Sequence, residues 1–187
     1  MAKLLFLTLF FFVAIGYTMP SAVVILRHAE EPENGPEGRE LSAKGWKRAE
    51  GLPLLFKSNN ELLNLGPISH LIAAKPHKKM GSIRPIQTVQ PLSQALDIKI
   101  QSEHSKEQIE ELIQALAHSS AYTNKVVVIA WQHDTISELA HRLGATNAPK
   151  QWGGKTFDRF WIIDFKNGQA INFRDRSQKI FKSDSKN

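Results

Sequence analysis

Three short segments carry side chains suited to handling a phosphoryl group. The first is Leu26-Arg27-His28-Ala29-Glu30. A neutral imidazole is a competent nucleophile near neutral pH, and a guanidinium grips phosphate oxygens through a two-pronged fork. Neither side chain is buried cheaply without a partner, so Arg-His at the end of an apolar run is not a core pattern. The second segment runs from Ser82 to Thr88, where Arg84 precedes a helical stretch. Free N–H groups and the dipole at such a helix start also favour an anion. The third is Trp131-Gln132-His133-Asp134-Thr135, which places another histidine after an apolar run. Singly, each has an ordinary explanation: a surface salt bridge, an exposed loop arginine, a histidine fixed by a neighbouring carboxylate. Their order and placement carry more.

The elements that must position them follow from patterning. Residues 22–26 (AVVIL) are a continuous apolar run rich in β-branched side chains and read as a buried strand; residues 68–74 are a second strand candidate, and 125–131 (KVVVIAW) read as the clearest strand of the chain. Between them, residues 30–40 hold prolines, glycines and acids without periodicity and read as a loop. Ser42 is placed to cap a helix with apolar positions at Trp46 and Ala49, and Pro53 kinks or restarts it. Residues 75–81 form a basic loop and residues 87–96 a helix. Residues 97–100 make a short strand, and 105–118 an amphipathic helix with Ile109, Leu112, Ile113 and Leu116 on one face. A helix over 136–143 stops at Gly144. Residues 159–165 and 169–173 flank Asn167-Gly168, a strong hairpin signal. Alternating strands and helices predict an α/β fold: a three-layer α/β/α sandwich with a mostly parallel sheet and a C-terminal antiparallel hairpin at its edge. In open α/β sheets, sites gather at the carboxyl ends of strands, where all three segments fall.

Arg27-His28-Ala29, Leu41-Ser42-Ala43-Lys44-Gly45, Arg84 with Gln87-Thr88, and His133 stand in that order along the chain. This resembles the first branch of the histidine phosphatase superfamily, also called phosphoglycerate mutase-like, over about residues 22 to 145. The resemblance implies a phosphatase that hydrolyses a phosphomonoester through a phosphohistidine on His28. Arg27, Arg84 and a charged His133 would hold the non-bridging oxygens. It implies no metal or organic cofactor and a small phosphorylated substrate. The proton donor has two candidates: Glu103, in the interval where first-branch proteins carry a Glu, and Asp134, directly after the late histidine as in the second branch. The first-branch motifs favour Glu103. The chain lacks evident mutase-type lid insertions, which favours hydrolysis over transfer. The alternative is a weak or inactive relative that binds a phosphorylated or anionic ligand.

Composition bounds the rest. The chain has 187 residues, enough for one core. It has no cysteine, which excludes thiolate nucleophiles, thiolate metal sites and disulfides. The seven histidines show no helical His-x-x-x-His pair, which argues against zinc. A net charge of +6 suits anionic partners. No aromatic and basic stripe points to nucleic acid. Lys75, His77 and Lys78 could meet the rest of a substrate, though a solvated loop is the plainer reading. Gly153-Gly154-Lys155-Thr156 imitates the end of a P-loop, but Pro149 stands where the first glycine belongs and a strand follows. Lys3 and the apolar run over residues 4–15 read as a signal peptide within residues 1–21, cut after Gly16 or near Ser21. The run is too short to span a bilayer, which takes roughly 20 residues. The mature domain, residues 22–187, is therefore expected to be exported, periplasmic or secreted, without a membrane span.

Overall fold

The β-branched run after Ser21 forms the strand from which the site departs. The computed structural model describes residues 19–33, 38–77 and 81–186. Six strands form one sheet: β1 (Ala22–Arg27), β2 (Ile68–Ala73), β3 (Ile100–Gln101), β4 (Val126–Trp131), β5 (Arg159–Lys166) and β6 (Gln169–Ser177). Their order is β3-β2-β4-β1-β5-β6. The pairs β1–β4, β2–β4 and β2–β3 are parallel; β1–β5 and β5–β6 are antiparallel. The sheet is thus mostly parallel, and the closing hairpin adds its antiparallel margin. Asn167 and Gly168 both take positive φ (51° and 78°) at its turn, as a tight hairpin requires.

Alternation along the strands sends side chains into two cores. Val24 and Leu26 of β1, with Leu71, Val128, Phe160 and Ile162, pack against α1 (Ala43–Ser58), α2 (Asn60–Leu63) and α3 (Arg84–Leu96) through Leu52, Leu55, Leu62 and Leu92. Val23 and Ile25, with Val127, Ile129 and Trp161, pack against α4 (Ile109–His118) and α5 (His133–Arg142) through Leu112, Leu116, Ile136 and Leu139. Helices cover both faces, so the three-layer architecture holds. Met19 is buried in the second core, and Ser21 pairs with Lys125 and Phe165 backbone. The rest of the expected signal segment lies outside the described residues, as does Lys78.

Several boundaries differ from the sequence reading. Helix α3 begins at Arg84, because Pro85 suits the first turn, where its missing N–H costs nothing. Helix α5 begins at His133, since Asp134 is favourable in its first turn. Pro53 sits inside an unbroken α1. The third strand is Ile100–Gln101, pushed on by Asp97, which ends α3 with φ 54°. His104 lies in the loop after that strand.

Candidate active site

In the parallel pair of β1 and β4, Arg27 stands opposite Trp131, and the His28 N–H donates to the Trp131 carbonyl at 3.0 Å. The chain segments bearing His28 and His133 therefore leave neighbouring strands at the same carboxyl edge.

His28 is 4% exposed, with Nδ1 2.8 Å from the Ala29 carbonyl oxygen. A carbonyl only accepts, so Nδ1 carries the hydrogen and Nε2 keeps its lone pair. Burial drives the imidazole pKa from 6.5 to about 3; the Ala29 hydrogen bond opposes this, and Arg27, Arg84 and His133 reinforce it. At neutral pH the ring is uncharged and fixed in one tautomer.

Arg27 is buried beside it. Its Nη1 donates to the carbonyls of Gly153 (3.3 Å), Gly154 (2.6 Å) and Thr156 (3.3 Å), and the Phe157 ring lies 3.8 Å from its guanidinium carbon. The segment that imitated a P-loop thus serves the site through its carbonyls. Among the described residues, Nε and Nη2 of Arg27 have no hydrogen-bond partner although buried. Burial lowers its pKa to about 10, the Glu31 charge opposing and the Arg84 charge assisting. Two N–H groups without a hydrogen bond on one edge of a guanidinium match two oxygens of a phosphate.

Arg84 points to the same place from the first turn of α3. Its Nε donates to the Glu40 carbonyl at 3.0 Å and its Nη2 to the Gly38 carbonyl. The Thr88 hydroxyl donates to the Arg84 carbonyl and accepts from the Ala29 N–H, both at 2.8 Å. Gln87 Oε1 accepts from the Leu41 N–H at 2.8 Å. The Gln-Thr pair therefore pins α3 to the backbone on either side of the nucleophile's loop. The Leu-Ser-x-x-Gly segment does similar work. The Ser42 hydroxyl donates to the Glu30 carbonyl at 3.1 Å and accepts from the Gly45 N–H. A Cβ on Gly45 would stand 2.3 Å from the Glu30 carbonyl oxygen, so only glycine permits this approach.

His133 is half-buried at the start of α5. Its pKa is lowered, first by burial and then by Arg27, with Asp134 and Glu31 opposing. Asp134 is exposed at the rim and ion-pairs with Lys106. Glu103 is exposed in the loop after β3, and the charge it exerts falls on Tyr122, whose pKa rises through burial first and Glu103 second. The structure thus brings Arg27, His28 and Arg84 together with His133 beside them, puts Asp134 at the margin, and leaves Glu103 outside the group of charges that act on Arg27 and His133.

Two participants were missed in the sequence. Glu31 spans the arginines, with Oε2 2.9 Å from Arg84 Nη1 and Oε1 3.6 Å from Arg27 Nη2. Its position four residues after Arg27 was a signal, masked by the acid-rich loop around it. Phe157 stacks on Arg27 and lies 6.1 Å from the His28 ring; nothing local marks it. Among the described residues, no three His, Asp or Glu side chains gather in a way that could hold a metal ion.

The chain has the fold of the histidine phosphatase superfamily, the one its motif order implied. It is similar to a phosphoglycerate mutase of Bacillus anthracis at 10% identity and a TM-score of 0.58, covering 89% of this chain and 96% of that one. An alpha-ribazole phosphatase of Shigella flexneri matches at 12% identity and 0.51, over 80% of this chain and 93% of its own. A protein of Agrobacterium tumefaciens assigned as the phosphohistidine phosphatase SixA matches at 18% identity and 0.51, over 82% and 97%. No family model and no curated protein sequence matches the chain.

Proposed function

We propose that this protein hydrolyses a small phosphomonoester through a phosphohistidine on His28, without a metal ion. The observation that carries the reading is the state of His28: buried, uncharged, and held by Ala29 so that Nε2 is the free nitrogen, next to the edge of Arg27 that lacks hydrogen bonds among the described residues. Nucleophile and anion receptor are thereby fixed before substrate arrives, which is what phosphoryl transfer chiefly asks of a protein.

In the reaction, the phosphate dianion docks on Arg27 and Arg84, and its charge draws a proton onto His133, which then donates to a third oxygen. Nε2 attacks phosphorus in line as the P–O bond breaks. An acid protonates the departing alkoxide. Water then attacks the phosphohistidine, returning the imidazole and releasing inorganic phosphate. Glu103 and Asp134 are the donors that family likeness suggests. Export through the N-terminal segment belongs to the same proposal, with the cut after Gly16, because a later cut near Ser21 would remove Met19 from the core it fills.

A second reading, an anion-binding relative without turnover, draws on Glu31, which already occupies the arginine pair. Hydrolysis of 4-nitrophenyl phosphate by residues 17–187 in chelator, beside His28→Ala, separates the two. Chelator-resistant turnover that vanishes in the variant supports the enzyme. A folded wild type without turnover leaves the anion binder.

A further inference from the structure

We infer that Glu31 is the proton donor to the leaving group, an assignment that rests on the phosphohistidine reading above. Among the described residues it is the one carboxylate in an ion pair with Arg27 or Arg84, and it pairs with both. It thereby stands where phosphate oxygens bind. The arginines are the fixed members of the trio: the Arg27 and Arg84 side chains are 0% and 9% exposed and tied to backbone carbonyls, whereas the Glu31 side chain is 40% exposed and, among the described residues, makes no other hydrogen bond or ion pair.

An arriving phosphate takes the N–H groups that Glu31 was using. The carboxylate loses both counterions and faces a dianion at close range, and like charges at such distance favour protonation of one of them. The outcome is a neutral carboxyl beside the ester. Among the described residues, the other two acids form no ion pair with either arginine. Asp134 has its own counterion in Lys106, which phosphate does not remove, and the charge of Glu103 acts on Tyr122.

The step balances as follows. The Nε2–P bond forms, the P–O bond to the leaving group breaks, and its electron pair stays on the alkoxide oxygen, which takes the Glu31 proton. In the second half, Glu31 accepts a proton from the attacking water as the P–N bond breaks, and is an acid again. As phosphate leaves, Glu31 releases that proton to solvent and pairs with the arginines again.

The test compares wild type, Glu31→Gln and Glu31→Asp on an alkyl phosphate and on 4-nitrophenyl phosphate, whose leaving group departs without a proton. The expected result is a kcat loss of about 10²-fold for Glu31→Gln on the alkyl ester, at least about tenfold larger than its loss on the aryl ester, with Glu31→Asp recovering part of it. Equal losses on both esters, or faster turnover of both, would overturn the assignment and make Glu31 a mere counterion for the arginines. A wild type inert toward both esters overturns the phosphatase reading itself, and the donor role with it.

Discussion

Two buried arginines lie within one stretch of chain, and they are treated oppositely. Arg48, 3% exposed, is fully matched: Nε and Nη2 reach Glu30 at 2.8–3.0 Å, Nη1 and Nη2 reach Asp184 at 3.0 Å, and Nη1 also meets Gln178 at 3.2 Å. Burial acts to lower its pKa, but the bonds to Asp184 and Glu30 outweigh that and raise it. Arg27, 1% exposed, is anchored on one nitrogen and, among the described residues, makes no hydrogen bond on the other two, with Glu31 only at 3.6 Å from one of them, and its pKa falls. A buried charge with every donor answered holds structure together. One with donors unanswered is costly for folding alone and is matched only when an anion comes.

The contrast can be broken experimentally. The largest effect is expected at Arg48→Met, which takes from Glu30 and Asp184 the buried cation they share: a loss of about 3–5 kcal/mol in urea unfolding. A loss below about 1 kcal/mol would mean the cluster is not holding the C-terminal residues down. Arg27→Met should do the reverse, leaving the unfolding midpoint unchanged or higher while kcat falls about 10²–10³-fold; a marked drop in stability with normal turnover would invert the roles of the two arginines.

Thr88→Val sharpens the comparison between them, since Thr88 secures the backbone that joins both regions. The Ala29 N–H would be buried without an acceptor, at about 1–3 kcal/mol, seen in the thermal midpoint. An unchanged midpoint would show that the strand end holds without Thr88.

A further effect, spread over several pH units, is with acid. The folded pKa of His28 lies near 3, below its ordinary 6.5, so between those values the unfolded chain binds the extra proton. Stability is then fully present above pH 6.5 and declines as pH falls toward 3, by at most about 1.4 kcal/mol per pH unit from this group. His133, also lowered, adds in the same sense. His28→Gln should flatten the slope; an identical slope in the variant would mean that His28 is already charged in the native state.

What was legible in the sequence follows the same division. Arg27, His28, Arg84 and His133 could be picked out because each sits next to a run whose β-branched or helical pattern fixes where the strand or helix ends. Sheet and layers were legible for that reason too. The Arg48 cluster was not, because its partner Asp184 is 136 residues away and no local pattern pairs them. Glu31 was hidden because an acid in an acidic, turn-rich loop looks solvated. Glu103 was singled out by order along the chain, and order does not say which way a loop faces.

The sheet order has a consequence for the history of each molecule. Strand β1 is made first, yet both of its neighbours, β4 and β5, come from the last third of the chain, and the carbonyls that hold Arg27 lie 126 or more residues downstream. Long-range pairing of this kind makes folding slow, because a large loop must close before any contact rewards it. A growing chain therefore carries its nucleophile early but has no receptor around it. Competence arrives late and all at once, when residues beyond Gly153 join the sheet, and a chain cut short before them keeps the chemistry's letters without the means to use them.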